Sequence, residues 1–282
     1  MEIGLFGLAL SGKTTIFKLL TNAEIEESYK REAVKRTAKI KDKRVDELAK
    51  IYNPKRIVYA TLDFIDIPSF DYRGDPKEKS RIFQMIQNVD ALLIILRAFN
   101  NSAVPWPEGA DNPVKQLEIL ETELIIRDLE IVENRLIRLD NQRKKGKVSF
   151  LEEKEEELLN KIKDNLEKGI FVSKMGLSDE EQKLIGSLAL FTLKPTVVCV
   201  NVDDNQLLTK KYEGKEKVMD ECAKQLFAYM ELDGKMEVEI NELEDEKERE
   251  LFMNELSIEE PGIERLAKIV YRAYFFFHCR RR

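Results

Sequence analysis

Apolar residues open the chain as a short run, Ile3-Gly4-Leu5-Phe6, which predicts a buried strand followed by a glycine-bounded loop. From about Lys13 the apolar positions become Ile16, Phe17, Leu19 and Leu20, the spacing of a helix with one buried face. Positions 57–66 read as a strand ending on Asp66, 70–75 as a loop, 80–89 as a helix and 91–96 as a second, uninterrupted strand. Pro105, Pro107 and Gly109 make 101–112 a boundary. Beyond it, Ile125, Leu129, Val132, Leu136 and Leu139 recur at spacings of 4, 3, 4 and 3, a coiled-coil seam. Leu159, Ile162, Leu166 and Ile170 mark a second helix after the punctuation Lys144-Lys145-Gly146-Lys147. Each helix has one apolar stripe, so the two are expected to bury their stripes against each other as an antiparallel hairpin. Positions 178–190 read as a helix with Ser178 as cap and Glu181 at the capping-box position. Then come a β-branched strand at 196–200, a helix at 218–230, and a strand in which Met236, Val238 and Ile240 alternate with Glu237 and Glu239. Helices at 244–256 and 261–277 close the chain.

Strands alternating with helices on both sides of the hairpin predict an α/β fold with a mostly parallel sheet. Charge changes this picture little. Over 282 residues, 47 Lys and Arg face 53 Asp and Glu, for a net −6, which argues against a globally basic nucleic-acid binder. Eleven cations against four acids crowd 30–56, read as a solvated, mobile surface. Three cysteines without a C-x-x-C pair and a single His exclude a disulfide scaffold and a structural zinc site. Without a basic leader or an apolar run of about 18 residues, the expectation is a cytoplasmic chain with no membrane segment.

Chemistry concentrates in Gly7-Leu8-Ala9-Leu10-Ser11-Gly12-Lys13-Thr14, the G-x-x-x-x-G-K-[ST] phosphate loop between a strand and a helix. Glycines let the backbone wrap closely, with successive N–H groups turned inward. The nucleotide-binding candidates are Gly7, Leu10, Ser11, Gly12, Lys13, Thr14 and Thr15. Lys13 is the candidate catalytic cation for the β- and γ-phosphates, and the Thr14 hydroxyl completes a Mg2+ shell. Asp66, at a strand tip, is the second candidate metal residue, set against the plain reading of a strand-end turn. Asn201-Val202-Asp203-Asp204 follows the 196–200 strand where GTP-binding proteins carry N-K-x-D, with Val202 in place of Lys. Asn201 and Asp204 are the candidate base-site residues, against an Asx-rich turn. His278, Trp106 and the cysteines read as packing residues.

The order of loop, Asp66 strand, hairpin and N-x-x-D resembles the Obg-like ATPase family of the YchF type, among the translation-factor-class P-loop GTPases. Asp42-Lys43-Arg44-Val45-Asp46-Glu47-Leu48, Asn53-Pro54-Lys55-Arg56, Val89-Asp90-Ala91 through Phe99, Asp111-Asn112-Pro113, Asp128-Leu129-Glu130, Leu193-Lys194-Pro195 and Pro261-Gly262-Ile263-Glu264-Arg265-Leu266 carry the likeness. It implies a G-domain-like fold, divided here into 1–112 and 178–282, with a coiled-coil arm at 113–177. It also implies nucleoside-triphosphate hydrolysis, with ATP often accepted or preferred, and association with ribosomes or other translation partners. Together with the phosphate loop, the expectation is a monomeric purine nucleotide-binding protein with Mg2+ and GTP or ATP as cofactors and slow hydrolysis. The acid at Asp204 favours GTP; the resemblance favours ATP or mixed use. The alternatives are a binding-only switch with degraded catalysis and a ribosome- or RNA-associated adaptor with a structural nucleotide site. Arg143, Lys144, Lys145 and Lys147 at the hairpin tip read either as a solvated turn or as a basic contact with the ribosome, through its RNA or an acidic partner.

Departures from the family bear on catalysis. Its D-x-A-G-L switch is Asp66-Ile67-Pro68-Ser69-Phe70 here, Met85 replaces a common histidine, and Leu10 stands at the loop's asparagine. A phenyl ring at Phe70 cannot orient an attacking water, so nucleotide binding is expected to transfer better than hydrolysis. The sequence stops at Arg280-Arg281-Arg282, where the family's small C-terminal TGS domain is expected to begin.

Overall fold

The first strand, β1 (Glu2–Phe6), lies at the centre of a six-stranded sheet. In this computed structural model the described residues are 1–22, 33–40, 43–146, 149–243 and 260–279, with 245, 248–249, 251 and 253 between the last two. The sheet order is β2 (Val34–Ile40), β3 (Ala60–Asp66), β1, β4 (Ala91–Arg97), β5 (Thr196–Asn201) and β6 (Ala228–Leu232). All neighbours pair in parallel except β2, which runs antiparallel to β3 with Val34 opposite Asp66. The central β4 is buried along its whole length, as a parallel strand covered on both faces must be.

One face carries α1 (Lys13–Thr21) and the terminal helix α10 (Gly262–Cys279), whose Leu266, Ala267 and Val270 pack with Ile16, Phe17 and Leu20. The other carries α3 (Pro76–Gln87), the root of α4 (Pro113–Lys144) and α8 (Lys215–Gln225), joined through Phe83, Leu117, Leu120, Leu124, Val218 and Cys222. Beyond this root, α4 pairs with α5 (Phe150–Leu166) through Val132, Leu139, Leu158, Leu159 and Ile162. Asn112 caps α4 by accepting from Lys115 N–H at 3.0 Å, and Pro113 occupies its first turn, where no N–H is missed. Ser149 and Glu152 form a complete capping box on α5.

Several expectations need correction. The basic stretch 30–56 contains the edge strand β2 and the helix α2 (Lys43–Tyr52). Ala38 and Ile40 of β2 are buried beside α1, while its lysines face water, a charged edge that discourages pairing with other chains. The expected helix at 218–230 ends at Gln225. Leu226 adopts φ +62°, and the next residues join the sheet as β6, so strand pairing outweighs helical periodicity. The expected strand at 236–240 is instead α9 (Gly234–Glu242). Asp233 caps it by accepting from Lys235 and Met236 N–H at 2.9 and 3.1 Å, and the buried pair Met236 and Ile240 is an i, i+4 helical face. The helix capped by Ser178 is α6 (Asp179–Ile185), shorter than expected because a 3-10 turn and Ala189 at φ +48° end it. Strand pairing before Asp66 starts at Ala60 rather than 57, and the expected 244–256 helix lies largely outside the described residues. Remaining between β5 and α8 is α7 (Asp204–Thr209). No helix among the described residues is long and apolar enough to cross a membrane.

Candidate functional site

The loop 7–12 runs from β1 into α1 with its tightness set by its neighbours. A Cβ on Gly7 would lie 2.6 Å from the Ile95 carbonyl oxygen, and one on Gly12 would lie 2.1 Å from Asn201 Nδ2. Gly12 also has φ +86°, which favours glycine. It precedes α1 without a side-chain cap, leaving the first-turn N–H groups directed into the loop. This is the arrangement in which a helix start receives an anion. Leu10 is held at φ +61°, half exposed, where a glycine or asparagine is less strained.

Lys13, Thr14 and Asp66 meet at the mouth of this cradle. Lys13 is buried; its Nζ donates to the Ile67 carbonyl and lies 3.8 Å from Asp66 Oδ1. Thr14 Oγ1 donates to Asp66 Oδ2 at 3.0 Å. Burial lowers the Lys13 pKa to about 8 against the pull of Asp66, and burial raises that of Asp66 above the usual carboxylate range against the pull of Lys13 and Thr14. Both shifts mark a site short of compensating charge. Ser11 Oγ and Asp66 Oδ1 are buried without hydrogen-bond partners, and such atoms are costly unless a ligand satisfies them. A phosphate with its cation supplies the missing donors and acceptors, so the residues fit that group. Thr15 is exposed at the adjacent cleft.

Asn201 joins the loop to the far side of the cleft. Its Nδ2 donates to the Ser11 carbonyl at 3.1 Å, and its Oδ1 accepts from Gly234 N–H at 3.0 Å. Val202, at the lysine position of the motif, is buried instead, and its N–H donates to Leu232 O at 2.9 Å. Asp203 caps α7 and accepts from Asn100 N–H. Asp204 is exposed at the cleft; one carboxylate oxygen accepts from Asn205 N–H at 2.9 Å, and the other has no partner among the described residues. These residues, with Phe99, Asp233, Lys235 and Met236, line a cleft of about 710 Å³ that opens beside Gly12 and Thr15. Burial, with Asp204 and Asp203 nearby, holds the Asp233 carboxyl above its usual range despite the two N–H bonds that it accepts.

Sequence reading did not identify Phe99, Asp233, Gly234 or Lys235 as site residues. The Asp-Gly pair was a turn signal, obscured by misassigning the elements on either side of it. Phe99 is positioned by Arg97, which is buried without a carboxylate partner among the described residues. Its guanidinium donates to the carbonyls of Phe99, Val104 and Pro105, and lies 4.5 Å from the Phe99 ring centre and 4.2 Å from that of Trp106. Trp106 therefore anchors this loop.

Phe70 faces away from the cleft. Its N–H donates to Gly7 O at 3.1 Å, while its ring is buried against Phe6 and Phe83, at 5.4 and 5.6 Å between centres. The segment after Asp66 is thus fastened to the phosphate loop with no polar side chain supplied at position 70.

A mostly parallel sheet, a phosphate loop entering a helix, and an Asn that clamps that loop from β5, two strands along the sheet, define a P-loop nucleotide-binding domain of the G-domain class. The ribosome-binding ATPase YchF of Escherichia coli O157:H7 is 31% identical over 278 residues, covering 96% of this chain and 75% of its own. That of Bacillus subtilis (strain 168) is 30% identical over 280 residues with the same coverage. An Obg-like ATPase homolog from Schizosaccharomyces pombe is 28% identical over 235 residues, 80% of this chain and 56% of its own. The structure of the S. pombe YchF GTPase matches with a TM-score of 0.81 at 23% identity, over 97% of this chain and 75% of that one. No family model matches the chain. The chain belongs to the YchF family of Obg-like ATPases.

Proposed function

We propose that the chain binds a purine nucleoside triphosphate with Mg2+, hydrolyses it slowly, and works in association with the ribosome. The observation that carries this reading is the cradle itself: a loop closed by Gly7 and Gly12, with buried Lys13 and Ser11 and a Thr14–Asp66 pair beside it. In this reading Gly7, Leu10, Ser11, Gly12, Lys13, Thr14 and Thr15 hold the phosphates, and Thr14 and Asp66 are the residues that would hold Mg2+. Mg2+, when bound, neutralises phosphate charge. Lys13 is the catalytic cation, and the base enters the cleft between Asn201, Asp204 and Phe99. The free Asp204 oxygen suits the donors of guanine, while the relatives are named ATPases, so ATP and GTP compete for one site.

The buried Phe70 ring supports slow turnover, because no side chain at that position reaches a water at the phosphate. A binding-only switch is the second reading, favoured by the same observation. The ribosome belongs to the proposal through the relatives' names and through the arm, taken as 113–177 between the domain segments 1–112 and 178–282. A monomer in the cytoplasm completes the reading.

The test is titration with fluorescent ATP and GTP analogues, followed by steady-state turnover. Lys13→Ala should cost about 2–5 kcal/mol of triphosphate affinity. Turnover of the isolated protein should stay well below about 1 s⁻¹. Equal binding by Lys13→Ala would refute the loop assignment, and faster turnover would refute the role given to Phe70.

A further inference from the structure

Arg97 ends β4 as a fully buried cation, and a charge in such a place is costly unless it gathers partners that an apolar side chain could not. Its fork reaches three carbonyls of one strap, residues 98–110: Nε donates to Phe99 O at 3.2 Å, Nη1 to Pro105 O at 3.0 Å and Nη2 to Val104 O at 3.0 Å. The Phe99 and Trp106 rings lie against the same guanidinium, both within cation–π range. The strap is also closed on the root of the arm. Gln116, buried on α4, accepts from Arg97 N–H at 2.8 Å through Oε1, and its Nε2 donates to Arg97 O at 3.1 Å and Ala110 O at 3.3 Å. One carboxamide thus joins the residue before the strap to the strap's last residue.

The strap delivers an aromatic ring to the nucleotide cleft. Phe99 is half-buried and lines the cleft, and its Cε1 would lie 3.9 Å from a Cβ on Gly12, so the ring stands beside the phosphate loop. The backbone at this point is held without the arginine side chain. Ala98 and Phe99 N–H both donate to Asn201 O, at 2.8 and 3.1 Å, and Asn100 N–H donates to Asp203 Oδ2 at 3.2 Å. What the guanidinium adds is the setting of the ring and of the 104–106 end of the strap. Stacking on an aromatic side chain strengthens binding of a base by about tenfold, and a ring held ready for it loses least of that gain to ordering. Lysine cannot replace the fork, because it offers a point charge where Arg97 offers planar donors.

We infer that Arg97 is a positioning residue for the nucleobase: it holds the Phe99 ring as the wall on which the purine stacks, and so sets affinity for the base and not for the phosphates. This inference rests on the reading above that the base enters the cleft beside Phe99. The experiment titrates wild type, Arg97→Lys, Phe99→Ala, the double variant and Trp106→Leu with ATP, GTP and inorganic tripolyphosphate, each with Mg2+. Tripolyphosphate fills the phosphate loop without a base, so the ratio of nucleotide to tripolyphosphate affinity isolates the base. For whichever nucleotide binds tighter, Arg97→Lys and Phe99→Ala should each lower that ratio by about tenfold. The double variant should lower it no further than Phe99→Ala alone, because the arginine acts through the ring. An unchanged ratio in Arg97→Lys, or losses that multiply in the double variant, would overturn the inference. If Arg97→Lys loses tripolyphosphate binding as well, Trp106→Leu decides. It takes one ring from the guanidinium and leaves the charge in place, so a lowered ratio supports the inference and an unchanged ratio overturns it. If wild type binds tripolyphosphate as tightly as either nucleotide, the base reading itself fails and the inference falls with it, while the phosphate loop stands.

Discussion

Asp128 carries a concentrated polar load at the root of the arm. It is fully buried on α4 and accepts from Phe191 N–H at 2.8 Å, Thr192 N–H at 2.7 Å and the Thr192 hydroxyl at 2.6 Å. Thr192 Oγ1 accepts in turn from Val172 N–H at 3.4 Å, so one carboxyl ties α4 to the turn before β5 and to the segment after α5. Asp128→Ala strands two backbone donors and a hydroxyl in a dry site. At roughly 1–3 kcal/mol for each unsatisfied donor, less what the hydroxyl and relaxation recover, the loss is about 3 kcal/mol at pH 7.5. The pH dependence gives a second readout. Burial pushes the Asp128 carboxyl up to about 6 from 3.8, against the three bonds that it accepts. A folded-state pKa above the unfolded value means that the folded state holds the proton more tightly, so stability from this group is present at low pH and lost as pH rises through about 6. Wild type should therefore gain about 2 kcal/mol on this account between pH 7.5 and 4.5, a gain missing from both Asp128→Ala and Asp128→Asn. Urea unfolding of the three proteins at pH 4.5, 6 and 7.5 measures both effects, and amide exchange at Phe191 and Thr192 localises them. A loss below about 1 kcal/mol for Asp128→Ala at pH 7.5, or a gap from wild type that narrows as pH falls, would refute the reasoning.

Three further perturbations have defined outcomes. Glu121, buried between α4 and α8 with Oε1 unpartnered, is pushed up to about 8 by burial and then by the charge of Glu221. Wild-type stability should fall by about 4 kcal/mol from pH 5 to 8 on this account, and Glu121→Gln should flatten that slope in parallel denaturation series. Leu10→Asn relieves a left-handed leucine at φ +61° and should stabilise the fold by about 0.5–1 kcal/mol, read as a higher Tm; an unchanged or lower Tm counts against strain there. Gly12→Ala places a Cβ 2.1 Å from Asn201 Nδ2 at φ +86°, and should abolish measurable triphosphate binding and lower Tm, whereas near-normal binding would show that the loop can shift away from Asn201.

The legible parts of the site are those in which chemistry and spacing coincide in one short segment. Gly7 to Thr14 is such a segment, and the structure places its glycines against Ile95 and Asn201 as a phosphate loop requires. Asp66 could be read because a strand carries it to its tip, next to Thr14. The sheet order and the antiparallel edge strand were less accessible. Only Ala38 and Ile40 of β2 are buried, so Lys35, Arg36 and Lys39 look like a solvated surface until β3 is beside them. The segment 226–240 misled for a related reason. Met236, Val238 and Ile240 alternate as a strand would, yet the Asp233 cap selects a helix, while 228–232 extends because β5 presents an unpaired edge.

The same distinction governs how the candidate site is assembled. Asn201 was visible as a motif residue, but its two bonds, to Ser11 O and Gly234 N–H, reach across the sheet to partners 190 and 33 positions away. Those bonds make β5 the link between the phosphate loop and the cleft. The same strand begins at Thr196, four residues after the Thr192 that Asp128 holds. One buried strand of six residues therefore connects the root of the arm to the loop around Lys13. Disturbing Asp128 acts on the beginning of that strand and disturbing Gly12 acts beside its end. If β5 is rigid, Asp128→Ala should weaken triphosphate binding as well as stability. If affinity is unchanged while stability falls, the arm root and the nucleotide site are mechanically separate despite the shared strand.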